Sequence, residues 1–178
     1  MAENWGYDRL YKKIWHESID EMRHATELIE RVKALPGVQF AATSNILPLG
    51  RNSWETSIAP EGVDPHDQDN RNSVLNMIVH TDYFDAMGIE IIRGRGFAPA
   101  DDASSPLFAV VDETLAERYW PGQDPIGRQV TMEWDSENEH GPSEDDLAVY
   151  RTVGGVAKHV RHYELQEPSR IEIYRPML

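Results

Sequence analysis

Cysteine is absent from the 178 residues, which excludes disulfides, thiolate catalysis and cysteine-ligated zinc. A cysteine-free chain suits an oxidising compartment as well as a reducing one, so the redox setting stays open. Positive charge is scarce: 17 Lys and Arg stand against 31 Asp and Glu, a formal net charge of −14. Nucleic-acid binding rests on basic patches that neutralise phosphates, so this balance argues against it, and against an anionic lipid surface for the same reason. Long apolar runs are missing as well. Short pieces such as "LFAVV" at 107–111 fall far below the roughly 20 apolar residues that a membrane helix needs. The opening "MAENWGYDRL" lacks the basic and then apolar pattern of a secretory leader, and is expected to begin a soluble protein or a segment of a larger one.

What is present is ordinary globular material. With 40% hydrophobic and 27% charged residues, the chain can build one sizeable core or two small lobes that share an interface. From Tyr7 to Leu35 the apolar Leu10, Tyr11, Ile14, Trp15, Ile19, Met22, Ala25, Leu28, Ile29 and Val32 recur at steps of three and four. That period predicts an amphipathic helix about 40 Å long at 1.5 Å per residue. Pro36, Gly37 and Val38 then end it, because proline removes a backbone donor and disfavours helix in the residue before it.

Short β-rich runs between turn formers predict strands at 38–44, 73–80, 89–93, 107–112, 128–134, 150–160 and 171–175. Helices are expected at 81–87 and 112–120, with Thr81 and Asp112 as N-caps. The fold class is therefore α+β. Two acidic, Pro- and Gly-rich stretches, 59–72 and 135–146, separate strand groups and read as solvated loops.

Candidate chemistry is sparse. "YFDAMGIEIIRGRGF" at 83–97 places Gly94, Arg95 and Gly96 where a phosphate loop would want glycines, but no third glycine follows two residues on. The next residues, "FAPADD", bring carboxylates that repel phosphate, so a turn in which Arg93 and Arg95 pair with nearby acids is expected. In "DSENEHGPSEDD", Asp135, Glu137, Glu139 and Asp146 imitate a calcium loop, but His140 holds the place of the required glycine and Gly141 comes one residue late. His159, His162 and Glu164 suggest metal ligation only if a helix gathers the rings, whereas "TVGGVAKHV" reads as a strand running into a loop. They are expected to be surface or edge-strand residues. Ser44 lacks a nucleophile elbow. The pairs Asp101 with Asp102 and Asp145 with Asp146 are merely adjacent, which does not set two carboxylates on either side of a substrate. No catalytic residue, cofactor or metal is expected.

Taken in order, the segments resemble a known family. "LIERVKALPGVQFAATSNILPLG", "VHTDYFDAMGIEIIRGRGFAPADD", "FAVVDETLAERYWPGQDPIGRQV" and "YRTVGGVAKHVRHYELQEPSRIEIYRPM" together are similar to the MacB-like periplasmic core domain of ABC transporter permeases in the MacB and FtsX superfamily. The likeness runs over roughly Tyr7–Met177 and is nearest to the acidobacterial type of permease. The motif positions are Pro36, Gly37, Val38, Tyr83, Phe84, Met87, Gly88, Gly94, Arg95, Phe97, Asp101, Gly127, Gly154, Gly155, Tyr174 and Pro176, all structural.

The resemblance implies an extracytoplasmic domain with a porter-like α/β lobe, here expected at 7–50 plus 105–178, and a smaller inserted lobe at 51–104. It implies that ATP binds elsewhere and that the domain transmits ATP-driven motion to export or release of a substrate. The implied partners are the permease's own transmembrane helices, an ABC ATPase, a second permease copy, and an adaptor or substrate outside the membrane. It also implies a strand before the long helix, whereas only "MAENWGYD" precedes it here. The isolated domain is expected to be monomeric or weakly dimeric. Two rival readings remain: an extracytoplasmic ligand-binding or sensory module whose acidic field attracts cationic cargo, and an enzyme using Ser44 or a His159–His162 metal.

Overall fold

A computed structural model describes residues 23–46, 55–63, 72–101, 105–134, 148–160 and 170–177. Helix α1 occupies 23–33 of these, followed by β1 (Glu55–Pro60), β2 (Asn72–Val79), α2 (Tyr83–Met87), β3 (Ile91–Gly94), β4 (Phe108–Asp112), α3 (Glu113–Tyr119), β5 (Gln129–Trp134), β6 (Ala148–Ala157) and β7 (Glu172–Pro176).

All seven strands join one sheet in the order β3-β6-β4-β7-β2-β1-β5, and β5 pairs with β6 as well. Six strands therefore close into a ring through β5 and β6, with β3 attached outside it. The ten residues of β6 make this possible: its first half meets β5 from Ala148 to Thr152, and Gly155–Ala157 meets β3. β2 with β7 and β4 with β6 are parallel, and the other pairings are antiparallel.

The strands at the centre are apolar on both faces, as expected of a covered sheet. Successive residues alternate between two cores. Val74, Val111 and Ile173 join Leu115, Trp120, Val130 and Val153 beneath α3. Leu75, Val110 and Tyr174 join Met77, Tyr83, Phe84 and Phe97 beneath α2. α2 stops after five residues because Gly88 takes a left-handed conformation, φ 65°, and its N–H bonds back to Asp85. α1 touches the body through buried Ile29 and the Lys33–Asp82 ion pair, leaving Leu28, Val32 and Leu35 exposed.

Several expectations shift. The mixed α+β class holds, and residues 51–104 supply β1, β2 and β3 to the same sheet as β4–β7. No strand forms over 38–43; only Ser44 bridges Val79. β1 covers β2 only as far as Leu75, and beyond it Asn45 replaces a ladder: its Nδ2 donates to the Asn76 carbonyl (3.0 Å) and its Oδ1 accepts from the Ile78 N–H (2.8 Å). β1 itself escaped the sequence pattern, since only Ile58 and Ala59 are apolar before Pro60. Asp82, not Thr81, holds the cap position of α2, without a side-chain capping bond. Residues 1–22 and most of the two acidic stretches lie outside the described residues, as do Asp102, Asp135, Glu137, Glu139, His140, Gly141, Asp145, Asp146, His162 and Glu164.

Candidate functional site

The Gly94–Asp101 segment forms a clamp against β6. Gly94 has φ 66°, and a Cβ there would lie 2.1 Å from the Gly154 carbonyl oxygen. A Cβ on Gly155 would lie 2.1 Å from the Arg95 carbonyl oxygen, and one on Gly154 would overlap the Phe108 ring at 1.7 Å. Three glycines thus let the chain after β3 lie directly on β6, where the Arg95 N–H donates to the Gly154 carbonyl (3.0 Å). The Arg95 guanidinium forks onto Asp101 at 2.6 and 2.7 Å and lies 4.2 Å over the Phe108 ring. Asp101 also accepts from the Ala98 N–H (2.8 Å).

The bidentate bond from Arg95 holds the Asp101 carboxyl below its ordinary range. A carboxylate thus occupies the Arg95 cation. The expected pairing holds for Arg95. Phe97 fills the space beneath, 5.6 Å from the Phe84 ring and 5.8 Å from that of Phe108.

Gly37 and Gly127 have φ 85° and 83°, and the Gly127 N–H donates to the Val153 carbonyl (2.8 Å). Tyr83, Phe84 and Tyr174 are buried together, while Met87 is exposed. Pro36 and Val38 flank the turn after α1, and Pro176 closes β7 beside Val79. Ser44 donates its hydroxyl proton to the Ile46 carbonyl at 2.6 Å, which places it in a turn.

A second cluster is one the sequence pattern missed. Asp112, fully buried, caps α3 by accepting from the Leu115 N–H at 2.7 Å. Its other oxygen meets His159 Nδ1 at 2.5 Å. His159 is therefore mostly buried, with 18% of its side chain exposed, where a surface or edge-strand residue was expected. The next residue of α3 repeats the tie: Glu113 accepts from the His159 N–H (3.2 Å) and from Lys158 Nζ (3.0 Å).

Across the sheet, the Val110–Tyr174 and Val111–Ile173 pairs bring Asp112 opposite Glu172, also buried. Tyr174 donates its hydroxyl proton to Glu172, and the Tyr83 hydroxyl lies buried nearby without a hydrogen-bond partner among the described residues. Burial pushes the Asp112 carboxyl up to about 6, against the pull of the Leu115 and His159 hydrogen bonds. Burial and the Glu172 charge push both tyrosines upward. The signal available in the sequence was an Asp at the end of an apolar strand, legible as a cap but not as half of a carboxylate pair.

His159 and Glu113 also line an open groove of about 1220 Å³ beside α3, together with Arg93, Trp120, Asp124 and Ile171. The described residues hold no group of three metal-ligating side chains. No described helix is long and apolar enough to cross a membrane.

Comparison with known proteins follows this geometry. The family model described as the MacB-like periplasmic core domain matches residues 15–166. The fold is similar to the periplasmic region of MacB from Actinobacillus actinomycetemcomitans, with TM-score 0.51 and 15% identity over 83% of this chain and 52% of that one. It is also similar to the extracellular domain of the noncanonic ABC-type transporter YknZ from Gram-positive bacteria, with TM-score 0.51 and 17% identity over 84% and 60% of the two chains. The chain thus spans somewhat more than half the length of these structures.

A separate, partial likeness joins it to bacterioferritins. It is 42% identical over 55 residues to that of Brucella melitensis, which is 31% of this chain and 34% of that protein. It is 36% identical over 64 residues to that of Mycobacterium leprae, 34% and 40% of the two chains. The chain spans only 34% and 40% of the length of these curated relatives. The match over 15–166 covers most of the chain, and by it the chain belongs to the family of MacB-like periplasmic core domains of ABC transporter permeases.

Proposed function

We propose that this domain stands on the extracytoplasmic face of the membrane and couples ATP-driven motion of a permease to the export or release of a substrate there, performing no chemistry of its own. The family match over residues 15–166 carries this reading. The physical design agrees with it. A sheet closed through β5 and β6, with apolar cores on both faces, has few ways to deform and passes displacement from one end to another. The partners are the permease's transmembrane helices, an ABC ATPase and a second permease copy, with an adaptor or substrate outside the membrane.

The test uses the full-length permease reconstituted with its ATPase, with residues 15–166 replaced by a short flexible linker. ATP hydrolysis should persist while substrate release is lost. Undiminished release would overturn the proposal. A second reading, a ligand-binding or sensory module, draws on the open groove beside α3. Under that reading, substrate binds the isolated domain, and 1 M salt abolishes binding of a cationic ligand because exposed charges are then screened beyond about 3 Å.

A further inference from the structure

We propose that the open edge of β3 is a docking surface for a second copy of this chain: two β3 strands pair antiparallel about a two-fold axis at Ile91, and Glu90 of each copy meets Arg93 of the other. The sheet order leaves that side open. β3 stands outside the ring closed through β5 and β6, and β6 is its one strand neighbour among the described residues. Its side chains suit an edge, since Ile92 is 38% exposed and Glu90, Arg93 and Gly94 are exposed beside it.

Backbone geometry sets the register. Ile91 lies opposite Ala157, and the Lys158 N–H donates to the Glu90 carbonyl at 2.7 Å. In an antiparallel ladder a bond so placed flanks a pair whose own N–H and C=O groups point away from one another. The N–H and C=O of Ile91 therefore point outward from the sheet. A two-fold axis beside Ile91 sets each Ile91 N–H on the Ile91 carbonyl of the other copy, the reciprocal bonding of an isologous contact.

The bulge in β3 supplies the charge match. In a regular strand residues 91 and 93 would share a face. Here the register slips between them: Ile91 is opposite Ala157 of the core beneath α2, and Arg93 is opposite Val156 of the core beneath α3. Glu90, one residue before Ile91, alternates to the α3 side as well. Across the axis, Glu90 of one copy stands opposite the Ile92–Arg93 bulge of the other. Neither charge has an ionic partner among the described residues. Short length, a bulge and charge are also how an edge is guarded against pairing, but that needs like charges to meet, and this two-fold brings opposite ones together. The contact is weak, because four residues of edge bury far less than the roughly 1,200 Å² of a stable interface. Two copies held side by side in one membrane reach the millimolar effective concentration that closes it; the pairing itself needs only this chain.

The experiment is sedimentation equilibrium of the 178-residue chain, with amide hydrogen exchange of Ile91 followed by NMR. Wild type should dimerise with a Kd of about 0.1–1 mM. Glu90→Arg alone, or Arg93→Glu alone, sets like charges opposite each other and should weaken the dimer about three- to thirtyfold. Both substitutions in one chain swap the charges and should restore wild-type affinity. The Ile91 amide should exchange about two- to fivefold more slowly at about 1 mM than at about 10 μM, in proportion to the dimer formed. A chain that stays monomeric at about 1 mM would overturn the proposal. So would a dimer indifferent to the single reversals, a double variant no tighter than the singles, or an Ile91 amide that exchanges equally at both concentrations. None of these results depends on the transport reading.

Discussion

Replacing Gly155 by alanine tests the contact that joins β3 to β6. A Cβ at this position would lie 2.1 Å from the Arg95 carbonyl oxygen and 3.1 Å from Val110 Cγ2. Neither neighbour can turn aside, because one is backbone and the other belongs to the central strand. The chain after β3 must move off β6, stretching the Arg95 N–H to Gly154 bond and shifting Arg95 away from Asp101. Overpacking of this kind typically costs about 1–3 kcal/mol. With a urea m value of about 2 kcal/mol per molar, a 3 kcal/mol loss lowers the midpoint by about 1.5 M. Urea unfolding followed by fluorescence reads it, since Trp120 is buried in the α3 core. Gly122→Ala is the control: φ is 69° but nothing lies within 4 Å, so only a left-handed backbone cost of about 1–2 kcal/mol applies. A Gly155→Ala midpoint equal to wild type, or above that of Gly122→Ala, would refute the close-approach argument.

Other substitutions separate the remaining interactions. Asp101→Asn should cost about 1 kcal/mol, because Arg95 is half exposed and its ion pair is screened. The lowered Asp101 carboxyl contributes stability above its unfolded value and loses it as pH falls through the folded one, so the variant should flatten the acid limb of a thermal melting series below about pH 4. Tyr83→Phe removes a buried hydroxyl that has no hydrogen-bond partner among the described residues, and should leave stability unchanged or raise it by up to about 1 kcal/mol in thermal melts. Asp112→Ala, by contrast, strips the α3 cap and removes the contact to His159 Nδ1, and should cost about 2–3 kcal/mol in urea titrations, well beyond Asp112→Asn.

Patterns that depend on neighbouring residues were legible in the sequence. The β4 run "FAVVD" and the helix after it needed only apolar continuity and a capping Asp, and both stand where expected, down to the Asp112–Leu115 bond. The Gly94 turn was likewise readable, because the glycine spacing failed the phosphate pattern and carboxylates followed. The failures involve partners distant in sequence. β1 looks polar until β2 and β5 bury Ile58 and Ala59. Residues 38–43 look like a strand, yet the edge of β2 is met by the Asn45 side chain. His159 looked exposed because its partner lies 47 residues away. The Asp112–Glu172 juxtaposition depends on a β4–β7 register that no local pattern encodes.

The measurement closest to the central claim is an inter-spin distance in the full-length permease. The domain has no native cysteine, so a label placed through Arg31→Cys on the exposed side of α1 is unique within each copy of it. Distances between the two copies would be recorded without nucleotide and with ATP trapped. Transmission of motion predicts a distance distribution that shifts with ATP and returns after hydrolysis. The same distribution in both states, while the ATPase turns over and substrate is exported, would contradict it.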